Sequence, residues 1–156
     1  MKPVRLITKM KKQINDWSVA PASVFIKKWE GCRLEAYTCS AGVATIGWGH
    51  TKDVKLGDTI CLRKAEKYLL DDLVECQKGL ASLVNVEVTE SQFIALMSFA
   101  FNLGLGNFKS STLRKKLNAG NFAGAAAEFG RWVYAGGKVI QGLVNRRKEE
   151  TEFFIR

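Results

Sequence analysis

The chain is 156 residues long, one domain's worth and enough to bury a proper core. With 47% hydrophobic and 10% aromatic residues it is not a disordered chain. The formal net charge is +9, with seven Lys/Arg against two acids among residues 1–30. Such a field draws in polyanions, whether nucleic acid, an anionic membrane surface or an acidic bacterial wall, without choosing among them. No helix-turn-helix, zinc-finger or RNA-binding aromatic signature is present, so no specific nucleic-acid partner is expected.

In chain order, residues 1–16 form a basic N-terminal extension to a single domain spanning 17–156, either a solvated lead, the favoured reading, or one that docks on an anionic wall or membrane. Lys2, Arg5, Lys9, Lys11 and Lys12 precede an apolar run from Trp17 to Ile26, as in an export signal. Pro21 within the run and Asn15-Asp16 before it argue against one. No stretch approaches the ~18–20 apolar residues needed to cross a bilayer, so no transmembrane segment is expected. The expected location is the cytoplasm in which the chain is made.

Ser23 to Trp29 suits a short helix that Gly31 would stop one residue past Glu30. Val43–Trp48 has strand composition and Cys39-Ser-Ala-Gly42 is a turn candidate, predicting a small β-hairpin. With Ser40–Gly42 as a three-residue loop, Cys39 pairs with Val43 and Tyr37 with Thr45. Side chains 37, 39, 43 and 45 then share one face, making Cys39 and Thr45 diagonal neighbours. The rest reads as helical: Leu62–Leu80, a capping box at Thr89–Gln92 ahead of Phe93–Phe101, then Ser111–Leu117, Asn121–Phe129 and Gln141–Phe154. A small sheet beside a helical bundle is an α+β arrangement.

Four cysteines, Cys32, Cys39, Cys61 and Cys76, show neither C-x-x-C nor metal-ligand spacing, and one histidine makes a zinc site unexpected. Cys76 falls in register with Leu62, Leu69, Leu73 and Leu80 as helix filler. A regulatory Cys32–Cys39 disulfide is a candidate that a spacing of seven does not establish. No cofactor is implied.

A carboxyl at a helix end followed at once by a hairpin, as at Glu30, can project into a cleft between sheet and helices. Taken alone, Glu30 is equally well a solvated helix-end acid, Cys39 a small hydrophobe and Thr45 a strand residue. Glycosidases usually need two carboxyls, and here the second is missing.

The segment Glu30-Gly-Cys-Arg-Leu-Glu-Ala-Tyr-Thr-Cys39-Ser-Ala-Gly-Val-Ala-Thr45-Ile-Gly-Trp-Gly-His-Thr51 resembles the active-site block of the phage T4-type lysozymes, glycoside hydrolase family 24. In that family a catalytic Glu is followed, eight residues intervening, by Asp or sometimes Cys, then by Thr after five more. Residues Gln92–Gly104, Phe108–Leu113, Arg131–Gly137 and Gly142–Arg147 are similar in the same order. The resemblance implies a lysozyme-like α+β fold, a small hairpin lobe and a larger helical lobe with the cleft between them. It implies an endolysin, a muramidase that hydrolyses the β-1,4 bond between N-acetylmuramic acid and N-acetylglucosamine in peptidoglycan and lyses the host for phage release.

In these terms Glu30 is the general acid, its pKa raised by an apolar cleft or a nearby negative charge. Cys39 either positions the attacking water, giving inversion, or attacks as thiolate, giving retention; the family's usual outcome favours inversion. Thr45 holds the water, and Asn102 and Arg131 are the substrate-binding candidates. His50 is expected to be structural, paired with an acid such as Asp72, and Trp48 and Trp132 to pack. Arg146 either steadies Glu30 or caps the last helix. Access to the wall would need a holin-type pore, taking a monomeric protein from the host cytoplasm to the periplasm and cell wall at lysis. The missing carboxylate keeps two other readings open: a non-catalytic peptidoglycan-binding protein on the same fold, and a lytic transglycosylase, which needs only the acid.

Overall fold

The computed structural model describes residues 9–156. The basic lead of residues 1–16 falls partly outside that range; of its second half, Lys12 and Ile14 are tied into the fold while the other six residues are exposed. Lys12 and Val88 exchange two backbone hydrogen bonds of 2.9 Å, and Ile14, in a 3-10 turn at Ile14–Asp16, is 1% exposed. The buried Gln77 amide donates to the carbonyls of Ile14 and Trp17 at 2.9 and 2.8 Å. Ile14 and the adjoining Trp17 therefore anchor the segment to the core, with Lys9 and Lys11 exposed.

Helix α1 covers Ala20–Trp29, starting before the expected Ser23 because Pro21 fits the first turn, where its missing N–H costs nothing. It ends at Glu30, whose extended backbone (φ −98°, ψ 131°) turns the chain into β1 (Arg33–Thr38). Strands β1 and β2 (Ala44–Gly47) pair antiparallel in the expected register, Tyr37 opposite Thr45, with an irregularity between Arg33 and Tyr37. Cys39 N–H closes the turn on Val43 O at 3.0 Å. Gly47 and Gly49, at φ 63° and 86°, take left-handed backbone that lets Ile46 and His50 pair across a tight reversal.

Helix α2, Leu62–Leu83, buries Ala65, Leu69, Leu73 and Leu80 on one stripe and packs against β2, α1 and α3. Cys76 is partly buried against the same core. The predicted capping box is present at the start of α3 (Glu90–Leu103): Thr89 accepts from Gln92 N–H while the Gln92 side chain accepts from Thr89 N–H. Residues Gln92 to Ala100 are all buried, because α3 is the central helix, with α1, α2 and α4 (Leu105–Ser110) around it and α7 (Gln141–Phe154) along it. Helices α5 (Thr112–Asn118) and α6 (Phe122–Ala126) close the far side, where Phe99 meets Phe108, Phe129 and Trp132 edge-on.

The helix expected through Phe129 stops at Ala126 and gives way to a 3-10 turn at Phe129–Arg131. A second hairpin, β3 (Tyr134–Ala135) and β4 (Lys138–Val139), follows where none was expected; Gly136 and Gly137, both at positive φ, make its turn. The architecture is α+β, a small sheet lobe beside a larger helical lobe. Among the described residues no helix is long and apolar enough to cross a membrane.

Candidate active site

Glu30 sits where helical lobe meets hairpin, its side chain 27% exposed. Its Oε1 accepts a 2.7 Å hydrogen bond from Arg146 Nη1, which reaches it from α7. Arg146 is itself buried: Nη2 donates to Ser98 O and Nε to Ser98 Oγ, both at 3.2 Å, and Nε lies 3.4 Å from Glu150 Oε1. The guanidinium is thus fixed on α3 and α7 and presents one N–H to Glu30.

A hollow of about 380 Å³ opens on Glu30, lined also by Trp48, Gly49, Thr51, Phe101 and Asn102, with Asp72 and Glu75 at its α2 side. Another hollow, of about 430 Å³, lies behind the hairpin around Ile46, Asp58, Cys61 and Tyr68 and contains none of the expected site residues.

Cys39 and Thr45 are brought together on the hairpin, though neither lines the hollow at Glu30. Cys39 is half-buried, and its thiol pKa is lowered by hydrogen bonding from the backbone at Val43 and Ala41 and by the Thr45 hydroxyl. Thr45 is 3% exposed and its Oγ1 donates to Val43 O at 2.9 Å. The hydroxyl has one proton: while it stays on Val43 O the oxygen accepts from a partner such as a water, and turned toward Cys39 it donates to the thiolate instead. Cys76, by contrast, is pushed up to about 11 by burial. Cys32 and Cys39 flank the six residues of β1 and are both free. An extended strand of that length holds its ends roughly 20 Å apart. The candidate Cys32–Cys39 disulfide is therefore excluded in this fold.

Asn102 Oδ1 accepts from Arg147 Nη2, which leaves the amide's N–H groups as its free donors at the hollow. Arg131 is placed elsewhere: its side chain is 76% exposed and ion-paired at 3.0 Å with Glu128, outside the hollow that holds Glu30. His50 Nδ1 donates to both Asp72 oxygens (3.1 and 2.9 Å) while its ring stacks on Tyr68 at 4.0 Å, the expected structural pairing. Burial raises the Asp72 pKa, with His50 working against it. Trp48 is buried in the core and Trp132 packs on Phe99.

Sequence reasoning missed the charged group behind the site. Arg147 and Glu150 are 1% and 0% exposed, with Arg147 Nε 3.0 Å from Glu150 Oε2. Burial raises the Glu150 pKa to about 7 against the pull of Arg147, Ser98 and Arg146. It lowers that of Arg147 to about 10. The signals available were Ser98 inside an otherwise apolar helix and two arginines three and four residues before Glu150.

The phage lysozyme family model matches residues 27–150. An endolysin of Bacillus phage B103 is 50% identical over 133 residues, 83% of this chain, which spans about half (51%) of that relative's length. An endolysin of Acyrthosiphon pisum secondary endosymbiont phage 1 is 42% identical over 84% of this chain and 92% of its own. Among solved structures, the muramidase domain of SpmX from Asticaccaulis excentricus superposes with a TM-score of 0.83 at 30% identity, covering 90% of this chain and 98% of that one. The match takes in Glu30, the hairpin and α7 as far as Glu150. The chain belongs to the phage lysozyme family.

Proposed function

We propose that the chain is an endolysin-type muramidase that hydrolyses the β-1,4 bond between N-acetylmuramic acid and N-acetylglucosamine, with Glu30 as general acid. The observation that carries this is the Glu30 carboxyl at the lobe junction, facing a hollow of about 380 Å³ and, alone of the three carboxyls that line it, held from behind by the buried Arg146. Glu30 gives its proton to the glycosidic oxygen as the bond to the anomeric carbon breaks. A water held by Thr45 Oγ1 attacks that carbon and gives its proton to the Cys39 thiolate, with inversion. The lowered thiol pKa supports this assignment, because a proton acceptor must first be deprotonated. Free Asn102 N–H groups suit a carbonyl such as a sugar acetamide; Arg131, exposed and paired with Glu128, would reach substrate only at the rim.

On this reading the protein lyses the host for phage release, passing from the host cytoplasm through a holin-type pore to the wall. A cysteine where a carboxylate is usual favours one second reading, a non-catalytic wall-binding protein. Digestion of purified peptidoglycan separates the possibilities. Reducing N-acetylmuramic acid ends, with inversion at the first-formed anomer, support the proposal. Anhydro ends indicate a lytic transglycosylase, an anomer of retained configuration makes Cys39 a nucleophile, and binding without release supports the second reading.

A further inference from the structure

Glu150 is a fully buried carboxyl with no place in the chemistry above, and it lies directly behind the group that holds Glu30. Two carboxylates share the Arg146 guanidinium: Glu30 takes Nη1 at 2.7 Å, and Glu150 faces Nε at 3.4 Å. Ser98 ties the arrangement together, donating to Glu150 Oε1 at 2.6 Å while accepting from Arg146 Nε. The charged and titratable groups that face Glu150 are Arg146 and Arg147 from its own helix; α3 contributes the neutral Ser98, and Glu30 is coupled to it through Arg146. Burying a carboxylate is costly, and here one arginine would suffice for its charge. The second, Arg146, is turned outward toward Glu30.

We infer that Glu150 is a positioning residue for Glu30: with Ser98 it fixes Arg146, and its negative charge offsets the guanidinium so that Glu30 can hold the proton it must deliver. The inference rests on Glu30 being the general acid. A guanidinium with no counter-charge behind it favours the charged form of a carboxyl it touches. With Glu150 ionised, part of that field ends on the helix side. Burial raises the Glu150 pKa to about 7, so its charge is present on the alkaline side, the limb that the test below reads.

Glu150→Gln keeps the volume and a hydrogen bond to Ser98 but removes the negative charge, so Glu30 loses its proton at lower pH. The alkaline limb of the kcat–pH profile moves about half a unit or more toward acid, with KM on soluble glycan unchanged. Glu150→Asp restores the charge and returns the limb. A Glu150→Gln protein that is folded by circular dichroism and keeps the native limb overturns the inference. Should Glu150→Gln not fold, because Arg147 is left beside an uncharged amide, Ser98→Ala decides. It keeps every charge and loosens Arg146: a fall in kcat of about threefold or more at unchanged KM supports the inference, and native kcat overturns it. Glu30→Gln is run alongside: if it stays active, the general-acid reading fails, whereas an inactive Glu30→Gln beside an unmoved Glu150→Gln limb removes only the link from Glu150.

Discussion

The two lobes hold their chemistry by opposite means. On the helical side Glu30 is gripped by Arg146, which is 3% exposed and backed by Ser98 and a wholly buried Glu150. On the hairpin side Cys39 and Thr45 are set by backbone register alone, with Val43 serving both: its carbonyl accepts from Cys39 N–H and from Thr45 Oγ1. Buried charges fix the acid in a low-dielectric setting where each partner depends on the others. A turn of three residues fixes the hairpin pair at far smaller energetic cost. Damage to the first should therefore register in stability as well as activity, and damage to the second in activity alone.

The largest effect that would break this contrast is on the helical side. Arg147→Met removes the nearest cation from Glu150, and at pH 8 it is expected to cost about 3 kcal/mol in chemical denaturation. The loss should shrink near pH 5, where Glu150 can take up a proton instead. An equal loss at both pH values would mean that Glu150 is not carrying charge.

Next in size is the hairpin. Cys39→Ala should lower muramidase activity by about a hundredfold with no change in melting temperature. Cys39→Asp should remain active with its optimum moved to lower pH. Full activity of the alanine variant would remove Cys39 from the chemistry.

The pH dependence of stability sharpens the same comparison. Because folding raises the Glu150 pKa from 4.5 to about 7, the folded state binds the proton more tightly than the unfolded chain. Glu150's contribution to stability is then fullest below about pH 4.5 and is lost as pH rises through about 7, by on the order of 3 kcal/mol. A Glu150→Gln variant should lack that slope. Smallest is a reactivity ratio: at pH 7 iodoacetamide should modify Cys39 about tenfold or more faster than Cys76, whose burial pushes its thiol up to about 11. Peptide mass spectrometry reads this directly, and equal rates would contradict the two thiol environments.

What the sequence disclosed follows from which forces are local. The hairpin register was legible because Gly42 closes a short turn between alternating residues, and α3 because Thr89 and Gln92 form a capping box within four residues. Glu30 was proposed through its ordered neighbours rather than through its own chemistry. The reach of Arg146 across 116 residues to Glu30 is tertiary, and on the sequence alone capping the last helix described it equally well. Glu150 was hidden for a related reason: a run such as Arg146-Arg-Lys-Glu-Glu150 reads as a solvated helix face. Only the packing of α7 along α3 buries three of its five charges. The second hairpin escaped notice because two-residue strands carry no periodicity, leaving Gly136-Gly137 as the sole signal.

The most direct test of the account is reducing-end release from purified peptidoglycan by the native chain and by Glu30→Gln, both verified as folded. The account predicts release by the native chain and a loss of at least about a thousandfold in the variant, with binding to the wall retained. Equal rates would contradict Glu30 as the acid, and no release by either, with binding intact, would contradict the muramidase itself.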